Sequence, residues 1–156
     1  MIFLVKYCYG MDIELENILH GFSTQEKQIY AAKCLENYCI HLKIEDECID
    51  YLIEHLYAMK ESYNLAKWEK IGARLTLTGR GDPLPVSLLN KIQKHKLSEF
   101  TKLVDNCVEV GLSNMYGADT DEPHKYLLKC IETLVINDIE LPVYPRILTK
   151  KTGIVY

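Results

Sequence analysis

The strongest constraint on the fold is a helical spacing of apolar residues that recurs along most of the chain. Between residues 23 and 43 the apolar positions fall three and four residues apart, which places them on one face of an α-helix. Ser23 and Glu26 match a capping box, in which each side chain accepts a backbone N–H of the first turn. The stripe consists of Ile29, Tyr30, Ala32, Leu35, Tyr38, Cys39 and Leu42. This pattern predicts an amphipathic helix over residues 23–43.

Five further segments show the same period and are each predicted to be helical. They are residues 46–62, 65–74, a segment from Pro83 or Pro85 to about residue 94, residues 98–116 and residues 123–137. Ser98 is expected to cap the fourth of these. Pro123 is expected to begin the last, because proline in the first helical turn forfeits no hydrogen bond.

No alternating strand pattern recurs along the sequence. Residues 1–9 and 154–156 could be extended, but a sheet is not needed. The tail beyond Leu141 is expected to be irregular and to pack over the helices through Val143, Tyr144 and Ile147. The predicted fold is therefore all-α: one domain over residues 1–156, a bundle of about six to seven helices with an irregular C-terminal tail.

The overall charge and the apolar runs limit the classes of partner. The net charge is -4 and the sequence pI is about 5.7, which argues against nucleic-acid binding because phosphates require a basic surface. No apolar run approaches the length of a signal segment or a membrane span. We therefore expect a cytoplasmic protein with no nucleic-acid and no membrane partner. Its six cysteines form no CxxC pair, and we expect them to be reduced thiols.

Catalytic and metal-binding motifs are missing from the sequence. None of the five histidines has another three or four residues away, and no HExxH or GxSxG occurs. The segment Gly79-Arg80-Gly81-Asp82 lacks the Lys-Ser/Thr that follows a phosphate-binding loop. We expect no catalytic residue, no metal and no cofactor. The alternative is a small helical enzyme or regulatory domain whose Cys–His or carboxylate site is assembled in space.

Two groups of acidic residues are candidate partner-binding sites. The first lies in residues 44–54, which hold five acids and no Lys or Arg, and the second lies between two predicted helices. The candidate residues are Glu45, Asp46, Asp50, Asp119, Asp121 and Glu122. Acids in a first turn also favour the helix dipole, and Asp121 could cap the helix begun at Pro123. Alternatively, the clusters bind a basic partner, and the complementary charges would speed its association with this protein.

The tripeptide Arg80-Gly81-Asp82 is the one that adhesion receptors read on extracellular proteins, but a structural role is expected in this chain. Gly79 and Gly81 allow a tight turn. Asp82 is placed to cap a helix with Pro83 at its first position, and Arg80 to pair with a carboxylate.

One basic clump occurs in this acidic chain, and it consists of Lys91, Lys94, His95 and Lys96. We expect it at the C-terminal end of a helix, where the helix dipole favours cations.

Several stretches in the C-terminal two thirds resemble the small helical immunity proteins encoded beside bacterial polymorphic toxins, including those of contact-dependent growth inhibition. These stretches are NLAKWEK (64–70), LTGRGDPLP (77–85), LSNMYGAD (112–119), PHKYLLK (123–129) and NDIELP (137–142). The resemblance implies a non-catalytic protein that binds and neutralises the C-terminal domain of one cognate toxin. Such a domain is often a nuclease, and a basic nuclease suits an acidic inhibitor.

Overall fold

The computed structural model describes residues 13–115, 117 and 119–143. Within these ranges it holds seven α-helices and no strand, so the predicted all-α class is confirmed. The helices are α1 (Ile13–His20), α2 (Thr24–Leu42), α3 (Glu47–Tyr57), α4 (Leu65–Ala73), α5 (Val86–Leu89), α6 (Leu97–Leu112) and α7 (Glu122–Ile136), with 3₁₀ turns at Ala58–Glu61 and Lys94–Lys96. The expectations for residues 1–9 and 154–156, and for Tyr144 and Ile147, fall outside the described residues. No helix in the described ranges combines the length and the apolar character that crossing a membrane requires.

Local side-chain chemistry fixes the starts of the N-terminal helices. The predicted capping box is confirmed: Ser23 Oγ accepts from Glu26 N at 3.1 Å, and Glu26 Oε1 accepts from Ser23 N at 2.8 Å. Asp46 Oδ1 caps α3 by accepting from the N–H of Cys48 at 2.9 Å. Each such cap contributes about 0.5–2 kcal/mol. The bonded residues are at most three positions apart, so the starts of α2 and α3 can be predicted from the local sequence.

α2 lies at the centre of the bundle and packs against α3, α6 and α7. The predicted apolar stripe of α2 is largely buried and faces α6 and α7. Leu35 of α2, Phe100 of α6 and Leu127 of α7 all belong to this core and are 0% exposed. Burying an apolar side chain of this size contributes about 1.5–3 kcal/mol. The apolar period is therefore the main determinant of this arrangement.

The helix predicted from Pro83 or Pro85 to residue 94 is wrong, because only Val86–Leu89 is α-helical. The chain turns after α5, so that Leu88 and Ile92 both enter the core and Lys91 reaches the start of α3. Asp82 consequently does not cap a helix; its carboxylate accepts the hydroxyl of Thr78 at 2.6 Å.

The start of α6 also differs from the prediction. Ser98 lies inside the first turn and caps nothing, because the 3₁₀ turn Lys94–Lys96 leads directly into the helix and Lys96 occupies the cap position. The basic clump therefore precedes a helix instead of ending one. Lys96 is held there by Glu99 Oε1 at 3.2 Å and by Asn137 Oδ1.

Three predicted segment ends need smaller corrections. The segment predicted over residues 46–62 is α-helical to Tyr57 and continues as a 3₁₀ turn to Glu61. α6 ends at Leu112, earlier than the predicted residue 116. Val143 is 65% exposed and does not pack over the helices as expected.

Candidate functional site

The first acidic group lies where α2 ends and α3 begins. Lys43 closes α2 in the left-handed conformation (φ 57°), which turns the chain into the segment that carries Glu45 and Asp46. Glu45 and Asp50 are exposed, and their carboxylates have no ion-pair partner among the described residues. These two predicted residues are therefore free to meet a partner.

Asp46 has a different environment from its neighbours. It accepts from the N–H of Cys48, and Lys91 Nζ lies 3.1 Å from its Oδ2. The hydrogen bonds from Cys48, followed by that of Lys91, hold the pKa of Asp46 well below its usual range. Because its carboxylate already binds the Cys48 N–H and Lys91, Asp46 stabilises the start of α3 and has little negative charge left for a partner protein.

The acids border a groove between α2 and α3, with a volume of about 430 Å³. Its lining is mostly apolar: Cys39, Ile40, Ile44, Ile49 and Ile53. Its polar members are Glu36, Lys43, Glu45 and Asp50. We call this feature the α2/α3 groove. It is an apolar cleft with three carboxylates and one ammonium group at its edges.

The groove has a negative electrostatic environment. Burial, followed by the carboxylate of Asp50, the thiol of Cys48 and the carboxylate of Glu36, raises the pKa of the Cys39 thiol to about 12. Glu36 is held in place by the hydroxyl of Tyr57, which donates to its Oε1 at 3.3 Å. Neither Glu36 nor Ile40 was among the predicted site residues. Ile40 lies off the apolar stripe of α2, and that offset was the sequence signal for an exposed apolar residue.

The second acidic group lies at the start of α7, on a loop tied down by Asn114. Thr120 Oγ1 donates to Asn114 Oδ1 at 2.7 Å, and Asn114 Nδ2 donates to the Thr120 carbonyl at 3.1 Å. Thr120 Oγ1 also accepts from the N–H of Glu122 at 3.2 Å. Asp121 occupies the cap position, but its side chain makes no cap hydrogen bond, so Thr120 satisfies the helix start instead.

Cations accompany part of this second group. Glu122 lies 3.5 Å from Lys125 Nζ, and Asp121 acts electrostatically on Lys27 near the start of α2. Asp119 is exposed. Asp121 thus lies near the N-terminal end of α2, and the first acidic group follows its C-terminal end; from Lys27 to Lys43, a rise of about 1.5 Å per residue gives roughly 24 Å. They do not form one continuous surface.

The Arg80-Gly81-Asp82 turn is bonded into the fold. Gly79 and Gly81 have φ values of 66° and 84°, which confirms that the turn uses glycine's freedom. Arg80 Nη1 pairs with the Glu69 carboxylate and Nη2 donates to the Glu69 carbonyl at 3.0 Å, so its predicted pairing is confirmed. The polar side chains of the tripeptide hold the turn to its neighbours.

The thiols and imidazoles bear on the alternative of a Cys–His site. The five described cysteines are free and buried, and burial raises the pKa of Cys34 and Cys107 well above the ordinary value. His124 stacks on His20 with ring centroids 4.1 Å apart, a contact that sequence spacing does not reveal. Among the described residues, no three or more His, Cys, Asp or Glu side chains are grouped to hold a metal ion.

Comparisons of the chain with protein-family models, with curated proteins and with solved structures find no match. The fold and the groove define a class in structural terms: an all-α protein with an acid-bordered apolar cleft beside its central helix. The resemblance to immunity proteins stays a prediction.

Proposed function

We propose that this protein is an immunity protein, a non-catalytic inhibitor that binds and neutralises a cognate toxin domain in the cytoplasm. The target is the C-terminal domain of a polymorphic toxin with a basic, nuclease-type surface. The observation that carries the proposal is the pair of exposed carboxylates, Glu45 and Asp50, held on the central helical frame without cation partners in the described ranges.

The net charge supports the same partner chemistry. A chain of charge -4 attracts a basic domain over a distance of about one Debye length, roughly 8 Å at physiological salt. Such steering raises association rates, and an inhibitor must reach its toxin before the toxin acts. Asp50 lies on α3 and Glu45 on the short connection between α2 and α3, so binding at this group requires little ordering of the chain.

The alternative enzyme would need an ionised thiol or an activated carboxylate. The thiolate is the reactive form of cysteine, and burial at Cys34, Cys39, Cys48 and Cys107 raises each pKa and favours the protonated form. These thiols are suited to packing in the core. These four thiols therefore do not support the thiol form of the alternative, and the inhibitor remains the function that we propose.

The test is protection of cells that express the toxin domain encoded by the gene immediately upstream of this one. We expect this protein to restore growth and to co-purify with that domain, whereas a toxin domain from an unrelated locus should do neither. Growth inhibition that persists despite equal expression of both chains would refute the proposal.

The two acidic groups can be separated in the same assay. Reversing the charges of Glu45 and Asp50, or those of Asp119, Asp121 and Glu122, should slow association for whichever group faces the toxin. Added salt should weaken wild-type binding more than mutant binding. If the acids only stabilise helix starts through the helix dipoles, the variants should still protect cells from the toxin. Their free energy of unfolding should then fall by about 0.3–1 kcal/mol per residue.

A further inference from the structure

The α2/α3 groove has an exposed aliphatic side chain, Ile40, in its lining. Ile40 is 69% exposed on the last turns of α2, while the neighbouring Ile44, Ile49 and Ile53 are at most 7% exposed. One exposed aliphatic residue alone carries little information. Here it borders an apolar cleft of about 430 Å³, so an incoming aliphatic side chain would contact Ile40 and the floor together.

The charges at the groove select the kind of segment that can enter. Glu36, Glu45 and Asp50 place three carboxylates at the edges against the single ammonium group of Lys43. An acidic or purely apolar segment would leave these carboxylates repelled or poorly solvated, whereas Lys or Arg side chains would pair with them.

The second acidic group is less suited to the same role. Glu122 already has Lys125 within 3.5 Å, and Asp121 lies close enough to Lys27 to raise that residue's pKa against the lowering effect of burial. At the first group, the internal cation Lys91 is taken up by Asp46 and by the Glu45 carbonyl. Among the described residues, the carboxylates of Glu45 and Asp50 therefore have no ion-pair partner and are available to an external cation.

We propose that the α2/α3 groove binds a basic amphipathic segment of the toxin domain. An aliphatic side chain of that segment lies against Ile40 and the isoleucine floor, and its flanking Lys or Arg residues pair with Glu45 and Asp50. Glu36, positioned by Tyr57, provides a third carboxylate. The partner's identity rests on the proposed function; the contact residues Ile40 and Glu36 and the chemistry of the segment are additional.

The experiment measures association and dissociation of the purified toxin domain with four variants at low and high salt. Ile40→Ala removes the apolar contact, and Ile136→Ala, which is 63% exposed on α7, is its matched control. The double variant Glu45→Lys/Asp50→Lys reverses the groove charge. Glu14→Lys/Glu61→Lys makes the same change in net charge at exposed residues outside the groove lining. All substituted positions are exposed, so each variant should keep the wild-type helical circular dichroism and a cooperative thermal transition; the Glu45/Asp50 variant should melt slightly lower because Asp50 lies in the first turn of α3.

We expect Ile40→Ala to weaken binding about tenfold, mainly through faster dissociation, and Ile136→Ala to leave it unchanged. The Glu45/Asp50 variant should associate about tenfold more slowly at low salt and lose most of its salt dependence, whereas the control pair should change association much less. In the complex, hydrogen exchange of the backbone amides should be slower over residues 36–53 than in the free protein.

Two results would overturn the groove assignment. Unchanged binding by both groove variants, or protection confined to residues 119–125, would show that the toxin uses another surface while leaving the proposed function intact. A wild-type protein that fails to bind the toxin domain would refute both proposals.

Discussion

Gln28 is a buried polar side chain of α2 that ties this helix to α6. Its Nε2 donates to the Cys107 carbonyl and its Oε1 accepts from the Gly111 N–H, both at 2.8 Å, and the side chain is 0% exposed. A Cβ at residue 111 would lie 2.4 Å from Gln28 Oε1 and 2.9 Å from Met59 Sδ. Glycine there allows the two helices to approach closely enough for both hydrogen bonds.

Replacing Gln28 by leucine keeps a similar volume but removes both hydrogen bonds. A buried backbone group without a partner costs about 1–3 kcal/mol, so two would cost about 2–6 kcal/mol. Cys107 O and Gly111 N are an i,i+4 pair of α6, so a helical hydrogen bond between them satisfies both groups in the variant and the loss is that of the two bonds to Gln28. At about 0.5–1.5 kcal/mol for each bond, we expect Gln28→Leu to lower the free energy of unfolding by about 1–3 kcal/mol.

Urea unfolding, followed by helical circular dichroism and by the fluorescence of Trp68, measures this change. Gln25→Leu on the same helix is the control, because Gln25 is half-buried and the same substitution there should change stability by less than about 0.5 kcal/mol. If Gln28→Leu also stays within about 0.5 kcal/mol with an unchanged urea slope, the idea that this amide joins the helices is refuted.

Three other predictions concern a helix cap, a turn and the pH dependence of stability. Asp46→Ala should lower stability by about 0.5–2 kcal/mol in thermal unfolding, because it removes the cap of α3, and no loss would contradict that role. Gly79→Ala should be more destabilising than Gly81→Ala: both have positive φ, but only at residue 79 would a Cβ collide with α6, and equal melting temperatures would argue against the collision. Burial, followed by the nearby His20, lowers the pKa of His124 to about 4, so its contribution to stability is complete above about pH 6.5 and is lost as the pH falls toward 4. Replacing His124 by phenylalanine should flatten the pH dependence of urea unfolding over this interval, and an unchanged slope would show that another group titrates.

The sequence was most informative where local chemistry decides the structure. The capping box of Ser23 and Glu26 begins α2 as predicted, and Pro123 lies in the first turn of α7 as predicted. Both signals act within one helical turn, so surrounding tertiary contacts need not be known. The apolar period extends the same reasoning to whole helices, because it identifies the face that must be buried.

The segment after Pro83 could not be predicted in this way. Its apolar residues are spaced for a helix, but the α-helix ends at Leu89, Leu88 and Ile92 are both buried in the core, and Lys91 bonds to the start of α3. Ser98 is a good capping residue by composition, yet a 3₁₀ turn precedes it and supplies the helix start. At residues 83–94 tertiary packing overrides the helical spacing, and at Ser98 the adjoining 3₁₀ turn already begins the helix, so the intrinsic preference does not decide either boundary.

The candidate site shows the same division between local and tertiary information. Composition identifies Glu45, Asp46 and Asp50 as a cluster, but it treats the three carboxylates as equivalent. The fold separates them, because Asp46 caps α3 and binds Lys91 while the other two project without a cation partner in the described ranges. It also adds Glu36, which lies on α2 and reaches the groove because α2 and α3 pack side by side. Acid density in the sequence therefore does not by itself give the charge that a partner can meet; that charge is set by the carboxylates left after internal cations and helix starts have bound theirs. By that measure the α2/α3 groove carries more available negative charge than the start of α7, where Lys27 and Lys125 lie beside the acids.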